Sequence, residues 1–198
     1  RELHKIVIID TDITAAKHAQ EMIKEKNKKL WEIGLSVNKE KEKIENISRL
    51  LEDKNRHITD SIKYAQNIQL AILPTADQLK TAFENFFILY QPKDIVSGDF
   101  YWVYTAKLKN EVVHLVAVAD CTGHGVPGAF MSMIGNDLLN QEIIEKKNYD
   151  PAKILENLHV GIHFALKQTT DLESTRDGMD IAICAIHEKS EELIFSGA

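Results

Sequence analysis

The sequence is poor in cysteine, in basic charge and in long apolar runs. Only Cys121 and Cys184 occur among the 198 residues, which is too few for a disulfide framework and is typical of a reducing cytoplasm. No apolar run reaches the roughly 18 residues of a membrane span, so we expect none in this segment. The net charge is −6, which argues against nucleic acid as a partner.

Helix-breaking residues are scarce in the first third of the chain, where Gly34 is the only one. All four prolines follow residue 73, and eight of the nine glycines follow residue 90. Residues 14–73 are therefore predicted to form one continuous helix. Residues 74–198 hold most of the acidic excess and are predicted to fold as a separate domain, whose acidic groups suit either cation binding or solubility.

An apolar heptad repeat runs along the predicted helix. Stepping by seven gives only apolar residues: Ile23, Leu30, Val37, Ile44, Leu51, Ile58, Ala65 and Ile72. The position three residues further on alternates between isoleucine and polar residues, so the predicted coiled coil is weak. A lone helix cannot bury this stripe, and we expect a homodimer formed through the coil. The coil is either a plain dimerisation rod or a signalling rod that changes register.

The first 13 residues have a different pattern. Residues 3–9 are rich in β-branched side chains and are predicted to form a strand, followed by Asp10-Thr11-Asp12-Ile13-Thr14. This motif resembles the end of a PAS sensor domain, whose last strand runs through D-x-T into an output helix. The resemblance implies that residues 1–13 are the remnant of a PAS-like sensor domain in the same chain.

The C-terminal part has the pattern of an α+β domain. Strands are predicted over 86–90, 99–108, 112–119, 179–186 and 193–195, and helices over 127–145 and 151–167. Strands in succession, then two helices, then strands again indicate antiparallel pairing rather than a doubly wound parallel sheet.

Two short motifs carry the candidate chemistry. Asp120 ends the apolar run 116–119, where a carboxylate is costly unless it binds something. The glycines at 123 and 125 leave the backbone bare for a metal or a phosphate. Asp99 follows Gly98 in the other motif, and carboxylate and carbonyl oxygens suit Mg²⁺ or Mn²⁺. An equally simple interpretation of the pattern is that Asp120 only caps the turn.

Both motifs resemble those of the SpoIIE/RsbU-like branch of the PPM (PP2C-like) serine/threonine phosphatases. Gln91–Tyr101 is similar to P-x-x-x-V-G-G-D-F-Y, and Ala119–Ala129 is similar to A-D-x-[ST]-G-H-G-x-x-[AG]-A. Gly178–Ala182 resembles G-M-D-[IM]-[AT], and Ile58–Gln69 resembles the helical linker that precedes such domains. Several motifs in the family's order and spacing are far more specific than any one of them.

The resemblance implies an αββα sandwich with a centre of two Mn²⁺ or Mg²⁺ ions at one edge. Asp120 would bridge the ions, Cys121 would contribute its backbone carbonyl, and Asp99 would be a second carboxylate. Metal-activated water would attack a phosphomonoester directly. The implied substrate loop consists of Gly98, Gly123, His124 and Gly125. The implied substrate is a phosphorylated protein of the anti-sigma-antagonist kind.

One departure from the family leaves the function open. The family's T-D-G and D-D metal motifs have no counterpart up to Ala198, and Asp177 and Asp180 are interpreted as turn and strand residues. Residues 74–198 are therefore expected to be the N-terminal part of a truncated phosphatase domain. Three hypotheses stay open: a sensor-linked phosphatase, a catalytically silent dimeric interaction module, and a coiled-coil dimerisation protein whose remainder has no activity.

Overall fold

The computed structural model describes residues 2–168 and 177–198, with side chains from residue 15 onward. The chain divides into two units, residues 1–57 and 58–198, and each is described by itself. Helix α1 (Glu2–Ile72) supplies every described residue of the first unit and the start of the second. The long helix predicted over 14–73 is confirmed, and it ends just before Pro74.

In the first unit, α1 leaves its apolar stripe open to solvent. The heptad side chains Ile23, Leu30, Val37, Ile44 and Leu51 are each 59% to 65% exposed. A helix gains most of its stability from packing such a stripe against a partner. No helix among the described residues is long and apolar enough to cross a membrane.

The strand predicted over 3–9 is wrong, because this segment belongs to α1. A strand satisfies its backbone hydrogen bonds only through a neighbouring strand, whereas a helix satisfies them within the segment. None of the described strands pairs with residues 3–9. The side chains of the D-x-T motif at 10–14 lie outside the described residues.

The second unit is built on one four-stranded antiparallel sheet in the order β1-β2-β3-β4. The strands are β1 (Phe100–Lys107), β2 (Val112–Cys121), β3 (Met179–His187) and β4 (Glu192–Gly197). The antiparallel pairing and the mixture of helices with the sheet confirm the predicted α+β class.

The structure describes one short helix before β1 and three helical segments between β2 and β3 in sequence. They are α2 (Ala76–Ala82), α3 (Gly125–Leu139), a π-helical turn (Asn140–Glu145) and α4 (Pro151–Ala165). Asp150 caps α4 by accepting the Ala152 amide at 3.0 Å. Glu142, on the π-helical turn, is 4% exposed and accepts hydrogen bonds from Lys146 Nζ and Asn157 Nδ2.

The two faces of the sheet differ in what covers them. On one face, Val113, Leu115 and Ala117 of β2 are completely buried. They belong to a core completed by α3, the π-helical turn and α4, with Met131, Leu139, Ile143, Ile154, Leu155, Leu158 and Ile162. The opposite, more open face is only partly covered: Val103 and His114 are buried on it, with Phe83 against the His114 ring, whereas Val118 is 60% exposed. The second sheet of the expected sandwich is not among the described residues.

The strand predicted over 86–90 does not form. These residues have no regular secondary structure, and Phe87 and Leu89 are 91% and 77% exposed. An apolar run becomes a strand only where a neighbour offers a free hydrogen-bonding edge, and β-propensity follows that context. The segment is held at its end instead, where the Tyr90 hydroxyl donates to the Asp99 carbonyl at 3.2 Å.

Candidate active site

Asp99 and Asp120 lie side by side at one end of the sheet. Asp120 is the penultimate residue of β2, and Asp99 immediately precedes β1. Phe100 pairs with Ala119 in the β1–β2 register, so both aspartates project from the open face. The two carboxylates singled out from the sequence are therefore neighbours.

The two aspartates also interact electrostatically. Partial burial, a hydrogen bond to Asp120 and the charge of Asp120 together raise the pKa of Asp99 above its usual value. Two like charges at one place oppose each other, and a cation bound between them would relieve the repulsion. Carboxylate oxygens are ligands that Mg²⁺ and Mn²⁺ prefer.

A third aspartate stands next to this pair. Asp180 pairs directly with Asp120 in the β2–β3 register, so it is the strand residue expected from the sequence. Asp99, Asp120 and Asp180 all line one pocket of about 990 Å³ on the open face. Within the described part of the chain, however, no three His, Cys, Asp or Glu side chains are arranged to hold a metal ion.

Glycines allow the backbone that precedes β1 to contact the turn that follows β2. A Cβ atom on Gly98 would lie 2.9 Å from the Gly123 carbonyl oxygen and 3.0 Å from that of Cys121. A Cβ atom on Gly128 would lie 2.5 Å from the Gly123 carbonyl oxygen. Since real Cβ atoms do not approach so closely, only glycine fits at these positions. The Cys121 carbonyl thus packs against the loop that carries Asp99.

The turn after β2 is shaped by left-handed backbone. Gly123 and Gly125 have φ values of +88° and +63°, which side chains with a Cβ rarely adopt. His124 lies between them, with Nδ1 2.9 Å from Asp94 Oδ2. This contact connects the turn to the segment that precedes Asp99.

Thr122 joins the turn to the Gly-Met-Asp motif. Its amide and its hydroxyl both donate to the Gly178 carbonyl, at 2.9 and 3.0 Å. The Gly178 amide donates back to Thr122 Oγ1 at 3.0 Å. The sequence identified both motifs but not the contact between them.

The Cys121 side chain has no nucleophilic role in this geometry. Burial, followed by the charges of Asp120 and Asp99, raises the pKa of Cys121 to about 12. The thiol is therefore neutral at physiological pH, and a neutral thiol is a weak nucleophile. Only the backbone carbonyl of this residue remains as a candidate ligand.

Sequence reasoning missed the part that Gln69 plays beside the site. Gln69 is 3% exposed, and its side-chain amide bonds to Ser97 and Ser132. The available signal was a glutamine at helical spacing from three apolar residues, Ala65, Ile72 and Leu73.

A comparison with solved structures finds a PP2C domain among the proteins that this chain resembles. The chain is similar to the SiaA-PP2C domain of Pseudomonas aeruginosa, with 34% sequence identity and a TM-score of 0.59. The match covers 73% of this chain and 55% of that one, so the chain spans about half the length of this neighbour. A scan of protein-family models finds no match, and neither does a search of curated proteins. In sequence and fold, the chain is therefore similar to part of a PP2C domain.

Proposed function

We propose that this chain is part of a metal-dependent serine/threonine protein phosphatase of the SpoIIE/RsbU-like branch. The observation that carries the proposal is the adjacency of Asp99 and Asp120 beside the Cys121 carbonyl. These three groups come from the two motifs that resemble the family. The 34% identical PP2C-domain neighbour gives independent support.

The oxygen donors of this site fit the implied ions in kind. Asp120, Asp99 and the Cys121 carbonyl would hold two Mn²⁺ or Mg²⁺ ions. Bound there, the ions would supply an activated water and stabilise the charge that develops on the phosphoryl group. The protein's own contribution is to hold two repelling carboxylates together and to present the bare backbone of the 123–125 turn to the phosphate. Gly98 and His124 complete that substrate loop.

The architecture and the regulation belong to the same proposal. The open apolar face of the sheet supports a second layer there, as in an αββα sandwich. The exposed heptad stripe of α1 supports a homodimer through a coiled coil over 14–73. We further propose that a PAS-like sensor, represented by residues 1–13, controls the phosphatase of 74–198 through this coil. Its substrate is a phosphorylated protein of the anti-sigma-antagonist kind.

Hydrolysis by the chain and by matched aspartate variants tests the function. We expect Mn²⁺-dependent hydrolysis of p-nitrophenyl phosphate and of a phosphoserine protein. The Asp120→Ala variant should lower kcat/KM about a thousandfold, because a metal ligand is lost. Asp77→Ala, at an aspartate of α2 whose side chain is 97% exposed, is the control and should retain activity.

A second outcome would favour the alternative function. If the folded chain binds Mn²⁺ and hydrolyses neither substrate, the phosphatase proposal is wrong for this chain. The catalytically silent dimeric interaction module then takes its place.

A further inference from the structure

A fully bonded glutamine lies in the last turn of α1, within the second unit. The Gln69 Nε2 donates to the Ser97 carbonyl oxygen at 2.5 Å and to Ser132 Oγ at 2.8 Å. Its Oε1 accepts the Ser97 amide at 2.9 Å. Both amide hydrogens and the carbonyl oxygen of a buried side chain are thus satisfied, as burial requires.

The bonds to the Ser97 backbone connect Gln69 to Asp99. The Gln69 side chain donates to the Ser97 carbonyl and accepts from the Ser97 amide, as the backbone of a neighbouring strand would. Ser97 Oγ in turn accepts the Asp99 amide at 3.0 Å. Ser97 is only 5% exposed, so water cannot replace these hydrogen bonds. They therefore fix the backbone that leads into Asp99.

The bond to Ser132 connects Gln69 to the helix that follows the turn after Asp120. Ser132 lies on α3 and is completely buried, and its hydroxyl donates to the Ala129 carbonyl at 2.9 Å. Helix α3 begins at Gly125, directly after the turn. The Gln69 side chain therefore bonds both to Ser97, which precedes Asp99, and to Ser132, on the helix that follows the Asp120 turn.

We propose that Gln69 is a positioning residue that sets the placement of Asp99 relative to Asp120 and so couples the end of α1 to the site. A buried amide is costly unless all its bonds form, so it specifies one arrangement where an apolar residue would allow several. The catalytic part of this inference rests on the proposed phosphatase function. The geometric part does not.

Hydrogen exchange on the metal-free full chain tests the geometric part. In Gln69→Leu, the amides of residues 96–100 should exchange about tenfold faster, because Ser97 loses its acceptor. The amides of β2 and β3 should stay protected. Asn67→Leu, at an exposed position two residues earlier, is the matched control and should exchange like the wild type.

Clear outcomes overturn the geometric part. Equal exchange of residues 96–100 in Gln69→Leu and in the wild type means that Gln69 does not hold this loop. A Gln69→Leu protein that loses protection in β2 and β3 as well has unfolded. Ser132→Ala, which removes one of the three bonds, then decides by the same criterion, with a smaller increase expected over 96–100.

Steady-state kinetics tests the catalytic part. For p-nitrophenyl phosphate we expect Gln69→Leu to lower kcat about tenfold at unchanged KM, since Gln69 touches the supports of the carboxylates and not the substrate. An unchanged kcat alongside a loosened 96–100 segment would overturn the positioning role. A wild-type chain without activity would refute the proposed function instead, and exchange would still decide whether Gln69 holds the loop.

Discussion

Alanine at position 128 should destabilise the second unit, because Gly128 makes the closest backbone approach in the site. The added Cβ would lie 2.5 Å from the Gly123 carbonyl oxygen and 2.9 Å from the Gly98 Cα, whereas ordinary contacts begin at 3.4 Å. Both neighbours are backbone atoms, so no side chain can rotate out of the way. The loops that carry Asp99 and Asp120 must move apart to make room.

The size of the effect follows from two opposing contributions. Overpacking a well-filled site costs about 1–3 kcal/mol. Alanine is about 1 kcal/mol better than glycine in a helix interior, which offsets part of that cost in α3. Because both neighbours are backbone atoms, the overpacking cost should lie in the upper part of that range, about 2–3 kcal/mol. We therefore expect a net loss of about 1–2 kcal/mol in the free energy of unfolding, or a fall of roughly 2–8 °C in Tm.

Tryptophan fluorescence can report this unfolding selectively. Trp102 is 4% exposed in the core, whereas Trp31 is 67% exposed on α1. A Trp31→Phe background therefore leaves Trp102 as the reporter of the second unit. Gly178→Ala is the control, since its added Cβ would meet nothing within 4 Å. Equal unfolding temperatures for the two alanine variants would refute the reasoning that the two loops touch at Gly128.

Two further predictions concern the coil and the pH dependence of stability. Ile44→Asp combined with Leu51→Asp should give monomers in sedimentation, because the two charges replace apolar heptad residues at the expected helix–helix contact. The control, Asn38→Asp combined with Asn46→Asp, adds the same charge outside the heptad positions and should stay dimeric. Dimers of the Ile44/Leu51 variant would show that the coil is not the interface. Burial alone would raise the pKa of Glu142, but hydrogen bonds from its lysine and asparagine partners outweigh burial and lower that pKa below the usual 4.5. The ionised carboxylate therefore stabilises the fold above pH 4.5, and this contribution is lost as the pH falls through the lowered pKa. Glu142→Gln should be about 1–2 kcal/mol less stable at pH 7 in urea unfolding, with a smaller difference at pH 3.5; a difference that does not shrink would contradict the assignment.

Local patterns were sufficient where local forces decide the structure. The long helix follows from the absence of proline and the presence of only one glycine, Gly34, over residues 14–73. The cap at Asp150 follows from its position before Pro151. The neighbourhood of Asp99 and Asp120 was predictable because two motifs with known spacing bracket adjacent strands. These features need no knowledge of which distant segments meet.

The predictions that were wrong concern partners far away in the sequence. Residues 3–9 and 86–90 are apolar enough for strands, but a strand exists only beside a neighbour that offers free backbone groups. Gln69 was missed for a related reason. Its partners lie 28 and 63 residues further along the chain, and no local pattern shows that one amide meets both.

The two cysteines differ in exposure, so a thiol reagent can label the open face of the sheet selectively. Cys121 is buried on the core side, and its neutral thiol is shielded from alkylating reagents. Cys184 is only partly buried and lies opposite Val116 on the other face. A maleimide probe would thus mark one site in the native second unit. Its rate of attachment would measure how far any layer placed over that face shields it from solvent.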